Sequence, residues 1–355
     1  MKFLVVAVSI LGVVASATQS LYIRRGKLKA KFRCDQATDF CRSMGESIGL
    51  VFDLLNNALV FTKTVKVKVS VLKKMDGVEW RRLKGNTKVV YAQQNYKGTQ
   101  YLYPQALHKQ LFNRQYLHSD FRIFINPFRK YYFPQDFRRN QAPDEFSSID
   151  VLTHEMLHGL GMITAFGNHA QKEFSSMMCP VKMEGIRKVF CVTFFDKFIR
   201  DKHNQSIPGL IRKMNQQDLP TEAKDEIILS NHHRIFTTHI KTSATESGGL
   251  YFKTKSGRHV YLETNIIPFK AGGSISHIDL RYKDSNETLM TRATEPGQGT
   301  HNFAADCTWK TSPIGPITLE ILTTLGYTRN PNASFDNSLG GFLFRSNPHY
   351  RNPCN

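Results

Sequence analysis

The first regular pattern in the chain is an alternation. Residues 21–32 mix basic and apolar positions in the rhythm of a β-strand. Phe40, Met44, Ile48, Phe52 and Leu55 then recur at three- and four-residue spacing, which predicts a helix with one buried stripe. Residues 64–72 return to strict alternation. Val65, Val67, Val69 and Val71 fall on one face, as in a strand whose other face meets solvent. Strand, helix and strand in succession predict the sheet layer of an α/β or α+β fold, begun so early that a separate inhibitory prodomain has little room.

Further along, residues 121–127 form an apolar strand ended by Pro127. It is read either as an internal strand or as an edge to which an extended peptide adds. Residues 147–161 then carry a helical pattern, with Ser147 or Ser148 as cap, Asp150 in the first turn and an apolar row of Leu152, Met156 and Leu160. Gly159 and Gly161 prepare the exit, Gly161 by admitting a left-handed turn. The pattern is less regular from 166 to 269. There residues 179–191 suggest a disulfide loop, 194–201 a local helix, and 247–263 a hairpin around Ser256 and Gly257. Ile317, Leu319, Ile321, Leu322 and Leu325 predict a final helix. The resulting division is 1–17 as a signal peptide, 18–167 as the N-terminal part of one catalytic unit, 168–269 as an insertion or subdomain, 270–335 as its C-terminal part and 336–355 as a tail.

Composition adds a compartment. Lys2, an apolar run over 3–14 and a small-x-small site at Ala15, Ser16 and Ala17 read as a secretory signal, so the mature chain is expected to be secreted and extracellular. No later stretch supplies the roughly twenty apolar residues of a membrane span. Cys34, Cys41, Cys179, Cys191, Cys307 and Cys354 are an even set compatible with full pairing, Cys34 with Cys41 and Cys179 with Cys191 being the local pairings preferred. Asn204, Asn286 and Asn332 stand in glycosylation sequons. The formal charge of +19 is spread along the chain and predicts attraction to anionic surfaces or glycans. The basic and aromatic stretch 129–139 matches no nucleic-acid motif and reads as a solvated surface, so specific nucleic-acid binding is not expected. Oligomeric state does not follow from these residues.

The densest chemistry lies at 154–163, HEMLHGLGMI. On a helix, His154 and His158 share one face and reach a single Zn²⁺, while Glu155 beside them is suited to moving a proton from a metal-bound water. A catalytic zinc ion takes three protein ligands. Thr164, six residues after His158, is a poor substitute for an imidazole. His169 and His277 are the alternatives for the third position, and His277 is preferred because Met290 and a glycine-containing turn follow it. Asp279 and Asp306 are read as orienting carboxylates or as loop residues capping their own backbone. The adjacent His232 and His233 develop no ligand spacing.

HEMLHGLGM, SHIDLRY, LMT and ITLEILTTLGY together resemble the active-site order of the metzincin zinc endopeptidases, especially the leishmanolysin-like branch with a long insertion before the third histidine. The resemblance covers mainly about 120 to 167 and 270 to 328. It implies an α+β zincin with a mixed twisted sheet, an active-site helix, a Met-turn and a C-terminal helix. It also implies one catalytic Zn²⁺ on His154, His158 and His277, Glu155 as general base, Gly161 as turn glycine, Met290 in the Met-turn, and protein or peptide substrates. Tyr327 is read as lining a side-chain pocket or as packing at the end of the last helix. The alternatives from other classes are an inactive secreted binding protein on the same scaffold and a basic glycan- or nucleic-acid-binding protein.

Overall fold

The structure is a computed structural model and describes residues 18–73, 84–96, 99–115, 117–133, 141–166, 178–182, 186–216, 240, 242–267, 269–270, 273–292, 295–297 and 314–332, with the side chains of 178–182, 186–190 and 214–216 left aside. The proposed signal segment 1–17 and the histidines at 169, 232 and 233 lie outside these residues, as does Asp306.

The opening alternation is two strands. Gln19–Arg25 (β1) turns at Gly26 into Leu28–Cys34 (β2), and the two pair antiparallel, Leu21 facing Phe32. Helix Thr38–Ala58 (α1) buries the predicted stripe, including Met44, Ile48, Phe52 and Leu55. A Cys34–Cys41 disulfide joins the end of β2 to the first turn of α1. After the short strand Leu59–Val60 (β3), Val65–Val71 (β4) buries its four valines and half-exposes the residues between them. That is the pattern a strand covered on one face produces.

Gly85–Val89 (β5), Tyr91–Tyr96 (β6) and Thr99–Pro104 (β7) precede helix Gln105–Phe112 (α2) and strand Phe121–Ile125 (β8). The main sheet has the order β1-β2-β4-β8-β5, with β2, β4 and β8 parallel and β1 and β5 antiparallel to their neighbours. Phe121–Ile125 is therefore internal. β5 takes the edge, and the edge-strand alternative for 121–127 is set aside. Lys109 and Asp120 form a buried ion pair at 2.7 Å, and Gln105 Nε2 and the Lys66 amide also donate to the same carboxylate. With its donors supplied on several sides, the charge can be held away from water.

Tyr131–Tyr132 (β9) pairs in parallel with Phe146–Ser147 (β10), which leads directly into helix Ser148–Leu160 (α3). Ser147 caps α3 by accepting from the Asp150 amide at 3.3 Å. The helix packs against β5, β8 and α1, where the Ser47 and Ser148 hydroxyls meet at 2.9 Å. A Cβ on Gly159 would stand 2.4 Å from the Phe121 ring, so only glycine permits this approach. Gly161 ends the helix at φ 135°.

Met178–Lys182 (β11) and Ile186–Phe190 (β12) pair antiparallel, followed by Val192–Thr193 (β13) beside β7. Residues 194–201, expected as a helix, make only one 3₁₀ turn before strand Ile199–Asp201 (β14). Helix Ile207–Gln216 (α4) follows, and Leu250–Lys253 (β15) and His259–Tyr261 (β16) form the predicted hairpin alongside β14. Helix Pro316–Leu325 (α5) and strand Thr328–Arg329 (β17) close the described chain, β17 pairing back onto β3. The fold is α+β with open sheets. No described helix is long and apolar enough to cross a membrane.

Candidate metal centre

Helix α3 carries His154 and His158 one turn apart, and the loop 273–291 returns His277 to them from a distant part of the chain. The Nε2 atoms of His154 and His158 lie 3.1 Å apart, and those of His154 and His277 3.0 Å apart. Each ring is steered from behind. Nδ1 of His154 donates to the Leu289 carbonyl at 2.7 Å, Nδ1 of His158 to the Met162 carbonyl at 2.7 Å, and Nδ1 of His277 to the Gly273 carbonyl at 3.1 Å. A carbonyl only accepts, so the proton sits on Nδ1 in all three rings and the Nε2 lone pairs point at one another.

Burial lowers the pKa of all three imidazoles. For His154 the value falls to about 3, burial leading and the neighbouring His158 adding to it. His158 is lowered by burial against the Met162 hydrogen bond, and His277 goes well below its ordinary value by burial and the charges of His158 and His154. Three neutral nitrogen donors converge with their second nitrogens already satisfied. This is a buried cluster able to coordinate a metal ion.

The loop that delivers His277 is held by main-chain bonds. Glu263 N donates to the His277 carbonyl at 2.8 Å, Ile275 N to the Glu263 carbonyl at 2.9 Å and Ile278 N to the Met290 carbonyl at 3.1 Å. Ile275 is buried at φ 64°, a conformation that disfavours a β-branched residue. The Glu263 carboxylate accepts from Arg292 Nε at 3.0 Å and from the Asn265 amide at 2.8 Å.

Several sequence expectations change here. Glu155 does not stand among the convergent nitrogens. Its carboxylate turns to β5, where Thr87 Oγ1 donates to it at 2.6 Å and the backbone of Gly85 packs against it. Burial raises its pKa to about 7, opposed by the Thr87 hydrogen bond and by Lys84. The assignment of a zinc endopeptidase with Glu155 as general base is corrected accordingly: the cluster is three histidines without a base placed among them. The expected Met-turn is not seen; its place is taken by a single 3₁₀ turn, Thr288–Met290, which reaches the histidines through the Leu289 carbonyl, while Met290 itself is fully buried. Thr164 answers to a different partner, donating through Oγ1 to the buried Asp196 at 2.6 Å. Asp196 also takes the amides of Ala165 and Thr193, so it ties the helix exit to β13.

Tyr327 is buried, and its hydroxyl donates to the Leu160 carbonyl at 2.8 Å, fastening the residues after α5 to the end of α3. Asp279 caps the turn Leu280–Tyr282 by accepting from the Arg281 amide at 2.8 Å. Asn204 and Asn332 are exposed and Asn286 half-buried. Cys191 is buried, while Cys307, Cys354 and the side chain of Cys179 lie outside the described residues. Sequence reasoning missed Thr87, Asp196, and the carbonyls of Gly273, Met162 and Leu289. The carbonyls belong to the backbone and leave no residue-type signal.

Fold and site thus define an α+β protein with a buried three-histidine, metal-competent cluster. A family model described as SPBPB7E8-like matches residues 9–193 and 218–348, and the chain belongs to that family. It is 24% identical over 268 residues to "Uncharacterized protein PB7E8.01" of Schizosaccharomyces pombe, a match covering 64% of this chain and 47% of the relative, so the chain spans about half the relative's length. No solved structure matches. The metzincin resemblance is therefore corrected as well. The matching family is a different one, Glu155 turns away from the cluster, and the histidines stand at a spacing, 154, 158 and 277, unlike a compact metzincin site. The zincin fold arrangement and the protease description fall with it; the α+β class, the disulfide and the metal-competent cluster stay.

Proposed function

We propose that this chain is an exported, non-catalytic metal-binding protein that holds one Zn²⁺ on His154, His158 and His277, and that the ion fastens the loop 273–291 to helix α3. The observation carrying this reading is the convergence of three Nε2 atoms, each ring fixed by a main-chain carbonyl on its other nitrogen. Lone pairs facing one another at 3.0–3.1 Å repel unless a cation lies between them. Neutral imidazole suits zinc and its neighbours in the first transition row better than calcium or magnesium. If bound there, Zn²⁺ would be held by His154, His158 and His277 and would supply the positive charge that their convergent lone pairs lack. The residues do the orienting: Leu289 and Gly273 set two rings, and the helix sets the spacing of His154 and His158.

Export is supported by the signal-like segment 1–17 and by the Cys34–Cys41 disulfide, which suits an oxidising compartment. The charge of +19 supports anionic partners outside the cell. The test is metal content and zinc titration of the purified full chain, beside the single alanine variants of the three histidines. One zinc per chain, lost in each variant, is expected. Absence of stoichiometric metal with the histidines intact overturns the reading. So does chelator-sensitive peptide cleavage that Glu155→Gln abolishes, since that outcome restores a catalytic role.

A further inference from the structure

Away from the histidine cluster, the sheet formed by β14, β15 and β16 carries a cavity of about 350 Å³ lined by Lys202, Asn204, Tyr251, Lys253, His259 and Tyr261. Its origin is the period-two alternation of the hairpin. Tyr251 pairs with Tyr261 and Lys253 with His259 across the strands, so these four side chains share one face. Phe252 and Val260, on the opposite face, are fully buried in the core. The sequence pattern therefore fixes an aromatic and basic surface by the same register that fixes the core.

The surface is pre-set. Tyr251 is buried, its hydroxyl donates to Asn204 Oδ1 at 2.9 Å, and its ring stacks beneath the exposed His259 with centroids 4.0 Å apart and planes 25° from parallel. Tyr261 stands at 65° to it, with the Arg281 guanidinium 4.0 Å from its centroid. Lys202 leans on Glu246 at 2.6 Å, whereas Lys253 has no ion pair among the described residues. A cavity of this size accommodates a small ligand. Aromatic faces accept the C–H face of a sugar ring, the Asn204 amide suits a hydroxyl, and the ammonium groups suit a sulfate or carboxylate.

We infer that this face binds an acidic saccharide, a sulfated or uronic-acid oligosaccharide, with the exposed His259 and half-buried Tyr261 as platform, the buried Tyr251 backing the His259 ring, and Lys253 and Lys202 as anion contacts. The inference rests on the anionic-partner part of the proposed function and is independent of the metal. It is tested by titrating the full chain, made without N-glycosylation so that Asn204 carries no sugar, with a heparin-derived tetrasaccharide at fixed salt. Neutral chitotetraose and ATP are titrated in parallel.

The heparin fragment is expected to bind at least about tenfold more tightly than either comparison ligand. Lys253→Glu and Tyr261→Ala should each weaken it about tenfold, and Lys31→Glu, the same charge change at an exposed position of β2, less than about twofold. Lys253→Gln repeats the first test with a milder change, and thermal melting confirms that each variant is folded. Equal losses in Lys31→Glu and Lys253→Glu overturn the pocket while leaving general attraction by charge in place. No binding by the unaltered chain overturns both. ATP binding as tight as the heparin fragment, with the same variant sensitivity, overturns the saccharide class in favour of a nucleotide.

Discussion

The two halves of the histidine cluster are built in opposite ways. Helix α3 places His154 and His158 by periodicity, with a serine cap at one end, glycine at the other and its apolar residues buried against the sheet. The loop 273–291 places His277 with no regular structure beyond two 3₁₀ turns, through a set of main-chain bonds from 263, 275, 278 and 290 and one residue, Ile275, at positive φ. A helix is stable through its own ladder and packing. A loop of this kind owes its shape to the few bonds that cross it, so its opening is expected at lower free energy. A metal bridging the two then serves the loop more than the helix.

The largest effect that tests this contrast comes from the metal. Removing one of three imidazoles should lower zinc affinity on the order of a thousandfold, whichever half contributes it. Chelation should separate the halves: hydrogen exchange should rise across 273–291 and stay nearly unchanged in α3. Equal loosening of both would show that the two halves form one cooperative unit and break the comparison.

The next effect concerns the anchor of the loop. Glu287 is buried, and its carboxylate accepts from the Ile317 and Thr318 amides and from Thr318 Oγ1 at 2.7–2.9 Å. It thereby caps α5, whose own N-cap residue is Gly315 with no side chain to offer. Glu287→Ala should cost about 2–3 kcal/mol of stability by chemical denaturation. It should weaken zinc binding too, because the turn that orients His154 through Leu289 follows directly. Ser147→Ala, at the cap of α3, should cost about 1 kcal/mol and leave zinc affinity within about twofold. A large loss of affinity in Ser147→Ala would place the helix, and not the loop, as the element in need of support.

How far each half was legible follows from the same difference. The valine alternation of β4, the stripe of α1 and the two histidines on α3 are properties of side-chain spacing, and spacing is written in the sequence. Helix caps were legible too, since Ser147 and Gly161 signal through residue type. His277 was reachable only as one of two candidates, because no period links it to α3. Glu155 shows the limit most clearly. Its place beside His154 suggested a role at the metal, yet its direction depends on Thr87, brought alongside by antiparallel pairing of β5 to β8. Residues 21–32 were read as one strand because the turn at Gly26 interrupts the alternation only briefly. Residues 194–201 failed as a helix since β14 pairs with β15, fifty positions later in the chain, and that partner has no local trace.

The smallest effect is a slope with pH, and it falls on the loop side. Burial raises the Glu287 carboxyl above its ordinary 4.5, against the hydrogen bonds from α5 and the charge of Arg258. The folded chain thus holds this proton more tightly than the unfolded chain does. Its contribution to stability is fully present below pH 4.5 and is lost as pH rises through the raised value. Glu287→Gln keeps the shape and one acceptor oxygen while removing the titration, so denaturation measured from pH 4 upward should show a flatter profile in this variant than in the unaltered chain. Measured on the metal-free chain, the difference reports the α5 anchor alone; an identical slope in both proteins would mean that the three donors offset the burial of Glu287 and leave its pKa the same folded and unfolded.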